Sequence, residues 1–86
     1  MATDINDIAR IKGGCRRGML ELDIVLLPFF EAEYQLLSDD DKGKFVNLLE
    51  EADPDIYAWL MGHRQPDTDA NQSIINTIMA YNRSLL

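Results

Sequence analysis

The side chains able to do chemistry are few. Cys15 and His63 are the only thiol and the only imidazole in the chain. A nucleophilic thiolate–imidazole pair needs the two side by side and a third group to orient the base, and no pattern in the sequence supplies that arrangement. A lone cysteine ordinarily reads as a small buried side chain, and a lone histidine near a helix end as a partner for the helix dipole. One of each is too few for zinc. The stretch from Asp39 to Glu50 places acids at positions 1, 3 and 12 of a calcium loop. Position 6, which needs a turn-forming glycine, holds Lys44, and position 5 holds Gly43, which offers no side-chain ligand. A capped helix accounts for the same residues, so no metal is expected. Neither Ser38 nor Ser73 stands in the Asp-Ser-Leu context of an acyl-carrier serine.

The run Arg16-Arg17-Gly18-Met19-Leu20-Glu21-Leu22-Asp23 has a different character. Arginine is a rigid donor fork that reads carboxylates and backbone carbonyls. Glycine lacks a Cβ and lets another chain approach the backbone. Glu21, four residues after Arg17, could hold that guanidinium in place. The group has no nucleophile and no reason for a strongly shifted pKa, so it suits docking on a partner rather than proton chemistry. The same residues also read as a plain helix junction, with Gly18 as a stop and the charges complementing two helix dipoles. An exposed Arg17–Glu21 pair would contribute only about 0.3–0.5 kcal/mol to folding.

Five short helices are expected to position that junction. Thr3 or Asp4 can N-cap the first, in which Ile5, Ile8, Ala9 and Lys12 keep helical spacing. Gly13-Gly14 weakens it, so it ends between Gly13 and Gly18. Leu20 to Leu37 reads as the second, with Leu20, Ile24, Leu27 and Tyr34 along one face and Leu22, Leu26, Phe29 and Phe30 widening it. A strand over Leu22–Leu27 is the competing reading, since Ile and Val favour sheets, but nothing else in the chain could pair with it. Ser38 caps a third helix, with Asp41 in the capping-box position and Phe45, Leu48 and Leu49 at i, i+3, i+4. Asp53-Pro54 opens a fourth that stops at Gly62 and buries Ile56, Trp59 and Leu60. The fifth carries Ile74, Ile75, Ile78, Met79, Leu85 and Leu86 on one stripe. The expected fold is therefore all-α, a small bundle in one domain spanning residues 1–86.

Composition narrows the function classes. A hydrophobic content of 47% argues for a packed core rather than disorder. A net charge of −7 argues against nucleic acid, which needs a basic face. Arg10, Lys12, Arg16 and Arg17 lie in a segment with no acid between Asp7 and Glu21. A basic end on an acidic body suits orientation toward a protein partner. No apolar run reaches the length of a membrane span, and a single cysteine fits a reducing compartment. A cytoplasmic location, a monomer and no membrane insertion are expected.

The junction run resembles the Arg-Gly-x-x-Glu signature of the FAD assembly factors of succinate dehydrogenase, the SdhE family, which here reads Arg17-Gly18-Met19-Leu20-Glu21. Pro28-Phe29-Phe30-Glu31, Leu37-Ser38-Asp39-Asp40 and Asp53-Pro54-Asp55-Ile56-Tyr57-Ala58-Trp59-Leu60 are similar to further blocks of that family, and the likeness covers Ala2 to Arg83. Gly13-Gly14 departs from the bulkier residues usual there. The resemblance implies an assembly chaperone rather than an enzyme. It implies binding to the flavoprotein subunit of succinate dehydrogenase, with that of fumarate reductase as a further target, and promotion of covalent FAD attachment. FAD would belong to the partner and not be held stably by this chain. By the same resemblance, contact with the partner falls to Arg17, Gly18 and Glu21, with Arg16 and Asp23 as neighbours and Asp53, Asp55 and Tyr57 from the later block. A generic helical interaction module, or an antitoxin-like adaptor without a flavin link, is the alternative.

Overall fold

The computed structural model describes residues 3–85, and among them it contains helices and no strand. The order is α1 (Ile8–Gly14), α2 (Leu20–Glu33), a 3-10 turn over Tyr34–Leu36, α3 (Asp39–Leu48), α4 (Asp53–Leu60) and α5 (Asp69–Ser84). The expected helical bundle is what forms, and Leu22–Leu27 is helix rather than strand.

The first helix starts later than its spacing predicts. Asp7, not Thr3 or Asp4, is the N-cap, and its carboxylate accepts from the Arg10 amide at 3.3 Å. Asp4 instead accepts from the Asn6 amide at 2.8 Å and shapes a turn. The Ile5 carbonyl is also drawn out of any helix, because the buried Tyr34 hydroxyl donates to it at 2.6 Å. The inward face is Ile11, Gly14 and Cys15, while Ile8, Ala9 and Lys12 are exposed. A Cβ at Gly14 would lie 3.4 Å from the Leu49 side chain, an ordinary contact, so α1 meets the end of α3 here without requiring a glycine. The helix does end at Gly14, as its glycines predict.

In α2 the buried set is Leu22, Leu26, Phe29 and Phe30, at i, i+4, i+7 and i+8. Leu20 and Ile24, expected on the core face, are 69% and 61% exposed. With apolar residues all round this helix, periodicity alone does not choose a face; the aromatic cluster does. Phe29, Phe30, Tyr34 and Phe45 pack with ring centroids 5.0–6.2 Å apart, within the range where ring–ring contact adds to area burial. Pro28 stands inside the helix without an amide to offer the Ile24 carbonyl. Both residues are on the solvent side, where water can satisfy that carbonyl.

The remaining caps follow the local sequence. The Ser38 hydroxyl accepts from the Asp41 amide at 3.1 Å, and three aspartates occupy the first turn of α3. Asp39–Leu48 is continuous helix, with the Lys44 ammonium 3.2 and 3.6 Å from Asp40 and Asp41. The N-cap of α4 is Ala52, which puts Asp53 inside the first turn. Gly62 ends that helix at φ +76°. The Gly62 amide donates to the Trp59 carbonyl and the His63 amide to that of Ala58, the paired bonds of a Schellman stop. Thr68 caps α5 by accepting from the Asn71 amide at 3.2 Å. Ile74, Ile75 and Ile78 are buried and Met79 packs against them, but Leu85 is exposed. Leu86 lies outside the described residues. Helix α5 packs on α3, α2 and α4 and so closes the core.

Trp59 is 5% exposed, and its indole Nε1–H has no hydrogen-bond partner. Its value is therefore volume rather than polar bonding. Trp59→Ala is expected to cost about 3–5 kcal/mol in urea unfolding, whereas Trp59→Phe is expected to cost under about 1.5 kcal/mol, because it removes an unpaired buried donor.

Candidate functional site

The junction between α1 and α2, residues 15–19, is built around Arg17. Its side chain is only 13% exposed. Nε donates to Asp53 Oδ1 at 2.7 Å. Nη1 donates to the carbonyls of Gly14 at 3.1 Å and Leu49 at 2.5 Å, and Nη2 donates to that of Glu51 at 2.7 Å. These acceptors lie at the C-terminal end of α1, the C-terminal end of α3, the α3–α4 link and the first turn of α4. Helix C-termini leave carbonyls unpaired and carry partial negative charge. One guanidinium meets two of them and a carboxylate together. The Arg17 amide donates to Asp23 Oδ1 at 2.7 Å, which ties the junction to the first turns of α2. Glu51 extends the network: its side chain accepts from the buried Asn71 amide group at 2.9 Å at the start of α5.

This corrects the exposed Arg17–Glu21 pair that the i, i+4 spacing suggests. The carboxylate held by Arg17 is Asp53, thirty-six residues along the chain. Glu21 is exposed in the first turn of α2, where its charge favours the positive helix end. Arg16 is exposed as well and takes part in no ion pair among the described residues. Gly18 is exposed at φ +79°, a backbone conformation that glycine adopts without strain. A Cβ built there meets no atom within 4 Å. Of the later block, Asp55 is ion-paired to Arg64, whose guanidinium lies 5.7 Å from the Trp59 ring. Tyr57 is half-buried and meets the His63 ring edge-on at 6.1 Å.

The structure thus brings Arg17, Asp23 and Asp53 together inside the fold and turns Arg16, Gly18 and Glu21 outward. Leu20 and Ile24 join the outward group, a feature that reading the sequence by periodicity missed. The available signal was the excess of apolar residues in α2 over what one buried stripe can take.

Cys15 lies directly before this group and is completely buried. Burial pushes its thiol up to about 12, with the Arg17 charge opposing and the Asp23 charge adding. Such a thiol is inert as a nucleophile at neutral pH.

Two measurements check this geometry. Arg17→Ala is expected to lower stability by about 2–4 kcal/mol, somewhat under the cost of breaking a fully buried pair, because Asp53 and three carbonyls lose their donor. Cys15 is expected to resist maleimide labelling at pH 8 until the protein unfolds. Its folded pKa lies above the ordinary 9.0. The associated stability is therefore complete below pH 9 and is lost as pH rises from there toward about 12, the unfolded thiol ionising first. Urea titrations across that range, with Cys15→Ala as control, read the loss.

Comparison with known proteins places the chain. A family model described as the flavinator of succinate dehydrogenase matches residues 9–82. A protein from Photorhabdus laumondii named FAD assembly factor SdhE is 50% identical over 80 residues, covering 93% of this chain and 91% of the relative. Its counterpart of the same name from a Serratia species is 46% identical over 81 residues, covering 94% and 92%. The solution structure of a UPF0350 protein superposes with a TM-score of 0.78 at 43% identity, covering 96% of this chain and 88% of that one. With the likeness running through the junction and all five helices, the chain belongs to the SdhE family of FAD assembly factors, the flavinators of succinate dehydrogenase.

Proposed function

We propose that this chain binds the flavoprotein subunit of succinate dehydrogenase, and that of fumarate reductase, and promotes covalent attachment of FAD to it. The observation that carries this reading is the outward group of Arg16, Gly18, Leu20, Glu21 and Ile24 on a junction whose other half is tied into the fold. On this reading the outward group is the docking surface of the chain, with Asp55 and Tyr57 as secondary contacts. The flavin bond forms within the partner. The contribution of the chain is to hold the flavoprotein so that its histidine and the flavin ring meet in a reactive geometry, which is catalysis by positioning. FAD stays with the flavoprotein, and the chain acts as a monomer in the bacterial cytoplasm, a reducing compartment that suits a chain with a single cysteine. A generic interaction module gives no account of a family match over residues 9–82.

The test is in-gel fluorescence of covalent flavin on the flavoprotein subunit, produced with and without this chain in cells that lack their own assembly factor. Equal fluorescence in both overturns the reading. Gly18→Arg is expected to remain folded, since open space surrounds position 18 and the left-handed backbone costs only about 1–2 kcal/mol. It is expected to abolish flavinylation, because a long side chain stands where the partner approaches. Glu21→Ala is expected to change stability by under about 0.5 kcal/mol while clearly reducing flavinylation.

A further inference from the structure

We propose that Arg17, Asp53 and Asp23 form one positioning unit, which fixes the junction that presents Gly18 and Glu21 and does not itself touch the flavoprotein. The inference rests on the docking role given above to the outward group. Its basis is the bonding of Arg17. A guanidinium has five N–H donors, and four hydrogen bonds from this one go to Asp53 and three carbonyls. With the side chain 13% exposed, little of it is left for a partner. The Arg17 amide is fixed separately by Asp23. Gly18 is therefore held between an anchored residue on one side and the start of α2 on the other. Its backbone, which has no side chain to restrain it, is set by its neighbours. Glu21 sits two residues before Asp23 on the same first turns of α2. Clamping Asp23 to the Arg17 amide sets the angle between the exposed glycine and the exposed carboxylate.

The same geometry joins two separated blocks of this sequence. Arg17 in the first and Asp53 in the second are in direct contact at 2.7 Å, so the Asp53-Pro54 block contributes to the junction from inside. Arg16, the exposed neighbour, is the arginine free to meet an acidic group of the partner.

The experiment compares Arg17→Lys, Asp53→Ala and their double variant with wild type and Arg16→Ala. All are studied at a temperature where each is fully folded by circular dichroism. Affinity for the purified succinate dehydrogenase flavoprotein is measured at several salt concentrations, and amide hydrogen exchange is followed over residues 15–23. A lysine keeps the charge but cannot serve a carboxylate and three carbonyls at once. Arg17→Lys and Asp53→Ala are each expected to weaken binding by roughly ten-fold or more, and the double variant by no more than the worse single one, because both break one unit. The salt dependence of binding stays that of wild type in these variants and flattens in Arg16→Ala. Exchange accelerates over residues 15–23 in Arg17→Lys. Full affinity in Arg17→Lys overturns the proposal. So does a flattened salt dependence there with Asp53→Ala binding normally, which makes Arg17 a direct contact. Failure of the wild-type chain to bind the flavoprotein overturns the docking role itself; unchanged exchange in Arg17→Lys then separately overturns the clamp.

Discussion

A bundle of short helices has more helix ends than a bundle of long ones, and each end leaves backbone groups without partners. Here two C-terminal ends and one N-terminal turn converge within reach of a single side chain. Arg17 meets the carbonyls of Gly14, Leu49 and Glu51 and the carboxylate of Asp53. Burying a guanidinium is unfavourable unless each donor is met by an acceptor with good geometry. In this position the acceptors are carbonyls that would otherwise need donors themselves. Desolvation of the charge is thus offset by groups the fold already has to satisfy, and the junction inherits the rigidity of three helices.

That constraint separates two parts of one short motif. Arg17 points inward and belongs to the fold, while Gly18 and Glu21 point outward and are available to a partner. The aromatic cluster of Phe29, Phe30, Tyr34 and Phe45 lies on the far side of α2 from Leu20 and Ile24, so core packing uses one face of this helix and leaves the opposite apolar face exposed. The arrangement places a rigid, chemically inert surface next to a sealed thiol. For an assembly factor this is appropriate, since a stable shape is what a small partner can lend.

Much of the architecture was legible in the chain. Ser38, Gly62 and Gly13-Gly14 mark helix boundaries by local chemistry alone, and each mark coincides with the observed boundary. Ile56, Trp59 and Leu60, and Ile74, Ile75 and Ile78, lie on narrow apolar faces whose inward direction has no competitor. The Arg-Gly-x-x-Glu run singled out the α1–α2 junction, because its residue types together exceed what a helix stop requires.

What the tertiary structure decided are the matters that depend on residues distant along the chain. The start of α1 moved to Asp7 because Tyr34, twenty-nine residues on, takes the Ile5 carbonyl. The outward turn of Leu20 and Ile24 was settled by the aromatic cluster across α2, since a helix apolar on every side carries no directional signal. The partner of Arg17 was the largest difference. Local spacing favours Glu21, one helical turn away, as an exposed pair worth little in water. The fold brings Asp53 and three carbonyls to the same guanidinium, where lower exposure strengthens each bond. A sequence determines which side chains can form an ion pair; which of them does so follows from where the backbone ends of three helices meet.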